Sequence, residues 1–148
     1  AERQLRVDEI YRPFCDVVSD VITSRKAAGI QTVLITIHSF TPVYFGQQRS
    51  VEIGILHDDD TTMADAMLAH ADLLPNRRVE RNEPYGPQDG VTHSLQIHGL
   101  AHGLANVMIE VRNDLVRTPE DETAMAEELL TLIRPALADL AQQGGYNA

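Results

Sequence analysis

Two apolar runs constrain this chain more than anything else in it. The first, Gln31-Thr32-Val33-Leu34-Ile35-Thr36-Ile37-His38-Ser39-Phe40-Thr41-Pro42, is β-branched and apolar almost without interruption and delivers an imidazole and a hydroxyl near its end. The second, Val107-Met108-Ile109-Glu110-Val111-Arg112-Asn113-Asp114, delivers a carboxylate, a guanidinium, an amide and a second carboxylate. Runs of this length with no polar alternation have the pattern of strands covered on both faces, as in an α/β sheet. Ligands of such sheets collect beyond the carboxyl ends of the strands, where both polar clusters fall. His38 and Glu110 are therefore the candidate centre of a site.

The rest of the chain supplies helices between strands. From Glu2 to Ala28 apolar residues at Leu5, Ile10, Phe14, Val17, Val18, Val21 and Ile22 form a helical stripe, stopped by Gly29 and kinked or broken at Pro13. A strand is expected over about 31 to 37, a loop from Ser39 to Ser50, and a second strand over Val51 to Leu56. One of Asp58, Asp59 and Asp60, or Thr61, caps a helix over about 62 to 74. Arg78 to Arg81 is a candidate third strand, and Asn82 to Gly90 is dense in turn residues. Thr92 to Leu100 is a candidate short helix, limited by Gly99, and a fourth strand covers about 105 to 111. Thr118-Pro119-Glu120-Asp121 is a helix start, with a capping hydroxyl, proline at the first helical position and acids in the first turn. That last helix carries Met125, Leu129, Leu132, Ile133, Ala136, Leu137 and Leu140 and is expected to end at Gly144-Gly145. Strands alternating with helices predict one α/β domain over residues 1–148, a three-layer αβα arrangement with a mixed, mostly parallel sheet.

Charge narrows the function. With 12 basic and 22 acidic residues the formal charge is -10, a field that repels phosphate backbones and anionic lipid. Nucleic acid and membrane surfaces are accordingly poor partners, and an anionic substrate has to be met by a local basic pocket. Cys15 is the single cysteine, so no internal disulfide forms, and a reducing, cytoplasmic compartment is expected. The run of residues holds no P-loop, dinucleotide fingerprint, nucleophile elbow or paired CxxC.

Each candidate residue has a plain structural alternative. His38 is a metal ligand, a general base or a polar residue bonded to a loop carbonyl. Glu110 is either catalytic or one half of an ion pair with Arg112, since carboxylates rarely sit in apolar runs without a partner or a task. His98 and His102 have the spacing of one helix face on which a metal could bind, but Gly99, Gly103 and the nearby His93 favour a solvated histidine-rich segment, with the pair at the surface or behind a site's own ligands. The three aspartates from Asp58 lack calcium-loop spacing and read as a capping turn. Cys15 falls on the apolar side of the first helix, where an inert thiol is the default.

The two central runs, together with Asn82-Glu83-Pro84-Tyr85, Asp89-Gly90-Val91 and Gly54-Ile55-Leu56, resemble the N-formylglutamate amidohydrolase family. The similarity extends from Ile10-Tyr11-Arg12-Pro13 to about Arg117, and Ile37-His38-Ser39-Phe40-Thr41-Pro42 is its most specific part. More distantly, Ile-His-Ser and Glu-Val-Arg-Asn-Asp resemble segments of the zinc carboxypeptidases. The resemblance implies a zinc-carboxypeptidase-like hydrolase fold and a zinc-dependent hydrolysis of the formyl amide of N-formylglutamate or a related small N-acyl amino acid. Within that implication His38 is a metal ligand, Glu110 is the general base, and Arg112, Tyr85, Arg49 and Ser39 are the candidates for binding substrate. It further implies that the chain is the carboxyl-terminal portion of a longer amidohydrolase domain. The remaining zinc ligands are then expected from upstream sequence, and an amino-terminal fragment or a second copy is expected as a tight partner. The reading from a different class is a non-catalytic binding or assembly domain derived from that fold.

Overall fold

The computed structural model describes residues Glu2 to Gly144, so Gly145, named as part of the final helix stop, lies outside the described residues. The strands are β1 (Leu34–Phe40), β2 (Val43–Tyr44), β3 (Gln47–Gln48), β4 (Ile53–Leu56), β5 (Val79–Arg81) and β6 (Asn106–Arg112). The α-helices are α1 (Glu2–Arg6), α2 (Arg12–Ala27), α3 (Thr62–Leu68) and α4 (Pro119–Gln142). The main sheet has the order β1-β6-β4-β5, with β1 parallel to β6, β6 antiparallel to β4, and β4 parallel to β5. The fold is α/β with a mixed, mostly parallel sheet, as expected. Among the described residues no helix is long and apolar enough to cross a membrane.

Alternation along the strands assigns the two faces. Ile53, Ile55, Val107, Ile109 and Val111 point to one side and pack with Met63 and Met67 of α3 and Met125, Leu129, Leu132 and Leu140 of α4 in the main core. α4 starts as its sequence dictates, because Thr118 accepts the amide of Asp121 and the Asp121 carboxylate accepts the amide of Thr118. Leu56 and Met108 point the other way and pack with Leu95, Leu34, Tyr85 and Val91. This second face is covered by irregular structure: a π-helical turn at Leu95–Gly99, a 3₁₀ turn at Leu100–His102 and the loop through Tyr85. The short helix expected over Thr92 to Leu100 is thus replaced by tighter and wider turns.

Three further expectations change. Strand β1 continues to Phe40, so His38 and Ser39 lie inside it, and it is a sheet edge rather than a strand covered on both faces: Ile37 is 62% exposed. The loop from Ser39 to Ser50 contains the β2–β3 hairpin, turning through Phe45 (φ 46°) and Gly46 (φ 76°). The first helix breaks at Pro13 in a specific way, through a π-helical turn at Val7–Tyr11 just before α2. Proline has no amide to offer the preceding turn, and a π turn is a common way to absorb that loss.

One close approach fixes how the second face is closed. A Cβ at Gly54 would lie 1.8 Å from the backbone oxygen of Glu83, so the loop carrying Glu83, Pro84 and Tyr85 runs directly over that residue. Replacing Gly54 with Ala must therefore displace the loop, and we expect a loss of about 3 kcal/mol or more. Thr118→Ala, which removes only a cap, is expected to cost about 1 kcal/mol. Urea denaturation of both variants beside the parent checks the ranking; equal midpoints for Gly54→Ala and the parent would contradict it.

Candidate active site

The carboxyl ends of β1 and β6 form the site. His38 is the direct partner of Glu110 in the parallel β1–β6 ladder. Partners in such a ladder share a face and sit on strands about 4.8 Å apart. Thr36, His38 and Phe40 therefore look out on the same side as Met108, Glu110 and Arg112, away from α3 and α4. The two central residues differ in solvation: His38 is exposed, whereas Glu110 is only 6% exposed.

Burial pushes the Glu110 carboxyl above its ordinary range, and the nearby Arg49 charge opposes that rise. Its Oε2 atom is buried without a hydrogen-bond partner. The ion pair with Arg112 that offered a structural explanation for Glu110 does not form. Arg112 instead donates through Nε to Asp114 at 2.7 Å, and its Nη2 lies 3.5 Å from Glu52. Its Nη1 donates to the carbonyls of Arg49, Ser50 and Val51 at 3.2, 3.5 and 3.4 Å. The guanidinium thus holds the segment that carries Arg49, and its donors are turned to that task rather than to a substrate.

Arg49 is the cation facing the site. Its guanidinium carbon lies 4.4 Å from the ring centre of Tyr44, 4.9 Å from Tyr85 and 5.6 Å from Phe40. Its Nη1 also donates to the Tyr85 hydroxyl at 3.0 Å. Three aromatic faces around one guanidinium hold it by cation–π attraction. Tyr85 reaches this position because its loop crosses Gly54, itself the direct partner of Glu110 in the β4–β6 ladder.

Ser39 is not brought to this group. It pairs with Val111 and lies with it on the opposite face, where both line a groove beside α4. His98 also departs from its reading as a solvated surface residue. It is 5% exposed, its Nε2 has no partner, and the Phe14 ring meets it edge-on at 6.1 Å. Burial lowers its pKa, with His102 and His93 adding in the same direction. The aspartate turn behaves as expected: Asp60 accepts the Thr62 amide at 3.1 Å at the start of α3, and Asp58 accepts from Gln96 at 2.9 Å and from Thr92.

Phe40 and Tyr44 were not among the candidate substrate-binding residues, although both flank the loop in which Arg49 lies. Their signal was the clustering of Phe40, Tyr44 and Phe45 in a chain with only 5% aromatic residues.

Zinc places a strict demand on such a site, ordinarily three protein ligands and one open position. Among the described residues no group of three or more His, Cys, Asp or Glu side chains is placed to hold a metal ion. His38 and Glu110 do not by themselves make a zinc centre.

The geometry can be set beside known proteins. The model of the N-formylglutamate amidohydrolase family matches residues 1–117.

The chain belongs to the N-formylglutamate amidohydrolase family.

The matched stretch contains β1, β6 and the loop between Asn82 and Gly90, and with them every residue described above as facing Glu110. The chain is also similar to a gene product from Agrobacterium tumefaciens whose crystal structure is known, with 53% identity and a TM-score of 0.91 over 95% of this chain. The chain spans 55% of the length of that solved relative. No curated protein matches the chain.

Burial of Glu110 carries a stability consequence with a definite sign. Its folded-state pKa is raised above the ordinary 4.5. The protonated form is thus favoured in the fold, and stability falls as pH rises through that window. Glu110→Gln is expected to raise the melting temperature at pH 7, with the gain shrinking as pH is lowered to about 4.5. Thermal melts of both proteins across that range check it; a variant less stable at pH 7 would show that the carboxylate is supported in the fold.

Proposed function

We propose that the complete domain is a metal-dependent amidohydrolase acting on the formyl amide of N-formylglutamate or a related small N-acyl amino acid. The observation that carries this reading is the buried, unpartnered carboxyl of Glu110 in register with His38 at the ends of adjacent parallel strands. A carboxyl raised by burial is a better proton acceptor than one in water. Glu110 takes a proton from the attacking water as its oxygen adds to the formyl carbon. The carbon–nitrogen bond then breaks, and the same proton passes to the departing amine, leaving formate and the free amino acid. Arg49, held among Phe40, Tyr44 and Tyr85, is the group we assign to a substrate carboxylate. It is the local positive charge that an anionic substrate needs in a chain of formal charge -10.

Zinc is assigned to the complete domain, with His38 as the ligand this chain contributes and the others lying outside it. The incomplete donor set favours one second reading, a binding or assembly domain that keeps the sheet without the chemistry.

A chimera in which this chain replaces the matching part of the Agrobacterium tumefaciens protein decides between them. It is expected to release formate from N-formylglutamate when zinc is supplied. Glu110→Gln in the chimera is expected to lower kcat by about 10²- to 10⁴-fold with the fold intact. Retained turnover would remove Glu110 from the base role, and a folded but inactive parent chimera would favour the binding domain. Arg49→Met is expected to raise KM more than it lowers kcat; an unchanged KM would remove the arginine from substrate binding.

A further inference from the structure

We propose that Glu52 is a positioning residue for the substrate carboxylate: its charge holds Arg112 in the orientation that fixes Arg49, so the affinity of the site for an anion depends on an acid that never touches it. Strand pairing puts Glu52 in place for this. Ile53 pairs with Val111 in the antiparallel β4–β6 ladder, and one step earlier the Arg112 amide donates to the Glu52 carbonyl at 2.9 Å. By alternation Glu52 shares the face of Gly54, Glu110 and Arg112, so the acid and the guanidinium stand opposite each other across two strands.

The Glu52 carboxylate is surrounded by donors. Its Oε1 lies 3.5 Å from Arg112 Nη2 and 3.5 Å from Arg77 Nη1, and its Oε2 accepts the Arg78 amide at 2.9 Å. Arg77 is in turn held by Glu128 of α4, through Nε at 2.7 Å and Nη2 at 2.9 Å. Charges therefore alternate in sign from α4 to the end of β6, through Glu128, Arg77, Glu52, Arg112 and Asp114. The side chains of Glu52 and Arg112 are only 19% and 16% exposed, so solvent ions screen their attraction weakly.

The effect reaches Arg49 through the backbone. Arg112 Nη1 spans the carbonyls of Arg49, Ser50 and Val51, while the Arg49 amide donates to the Pro42 carbonyl at 2.8 Å. Arg49 is thus tied to Pro42 on one side and to Arg112 on the other. Because Arg77 and Arg112 meet the same carboxylate oxygen, neutralising it leaves two guanidiniums facing each other without a counter-charge. Arg77 is held by two bonds to Glu128 and Arg112 by one to Asp114, so Arg112 yields and the carbonyls it spans move with it. What Arg49 does for a substrate rests on the amidohydrolase reading; where Glu52 puts it does not, and its position is measurable without turnover.

Nuclear magnetic resonance of this chain, with kinetics of the chimera built on the Agrobacterium tumefaciens protein, tests the proposal. The Arg49 guanidinium lies among three aromatic rings, whose ring currents shift its Nε–H and δ-proton resonances away from those of a free arginine. In Glu52→Gln, which keeps the size but not the charge, these shifts are expected to collapse toward the free values; in Glu52→Asp, which keeps the charge, they are expected to persist. Glu128→Gln breaks the bidentate pair with Arg77 and is expected to lower the melting temperature at least as much while leaving the shifts in place. In the chimera, Glu52→Gln is expected to raise KM for N-formylglutamate about tenfold with kcat nearly unchanged, the split produced by a loss of binding alone, and Glu128→Gln to change neither. Should Glu52→Gln fail to fold, Arg112→Lys, which keeps the charge but cannot span three carbonyls, is expected to give the same loss of shift. Arg49 shifts that stay in place in Glu52→Gln or, in its stead, Arg112→Lys would overturn the proposal. An equal loss in Glu52→Asp would remove the charge from the role, and an equal loss in Glu128→Gln would reduce it to general stability; either overturns it, as does displaced shift with unchanged KM. A chimera that is inactive although the Arg49 shifts respond as expected removes the amidohydrolase reading and leaves the placement of Arg49 by Glu52 standing.

Discussion

The parallel pairing of β1 with β6 is the constraint on which the rest depends. It decides which side chains share a face, because a slip of one residue turns every side chain of the moving strand over. With β1 slipped by one, His38 would turn to the core side with Val107 and Ile109, Ile35 would leave it, and Glu110 would lose its neighbour. The register is held at the first rung of the ladder and from the core face. At the start of β6, Asn106 is tied to Asp60 through its amide at 3.0 Å and its Nδ2 at 3.1 Å, while Leu34 donates to Ala105. On the core face, Val33 and Ile35 pack against the cluster that contains Val107 and Ile109. Local polar ties and apolar packing thus specify the same register.

A buried carboxyl stays raised only if no cation pairs with it. Had Arg112 turned to Glu110, the opposite charge would have pulled the carboxyl down instead of leaving it raised. The structure avoids this by saturating Arg112 elsewhere, with Asp114, Glu52 and three backbone carbonyls. The same contacts fix the segment of Arg49, so one arginine positions the other. Arg49 then acts on Glu110 through space only, and its charge is shared with three aromatic rings.

The apolar runs, the capping box at Thr118 and the strand–helix alternation were readable in the sequence because each rests on local patterning. So was the meeting of His38 with Glu110, since both stand at carboxyl ends of apolar strands. Ser39 was misplaced for a physical reason: with the strand expected to stop near residue 37, its side chain had no assigned face, and extending β1 to Phe40 sends it to the α4 side. The burial of His98 was hidden because flanking glycines look like solvated loop, whereas a Cβ at Gly99 would lie 2.6 Å from the Asn106 side chain. That glycine permits the π-helical turn to press onto the sheet and bury the imidazole. Edge position has no local pattern at all. An apolar β1 reads the same whether its second neighbour belongs to this chain or to another.

That last ambiguity joins stability to chemistry. Glu110 needs exclusion of water to keep its carboxyl raised, yet His38, its partner in the ladder, stands exposed on the edge strand. A strand laid along β1 would run about 4.8 Å from it and bring its own terminal residues level with His38. Such a strand would cover Ile37, bond the outward amides and exclude water beside His38 in one event.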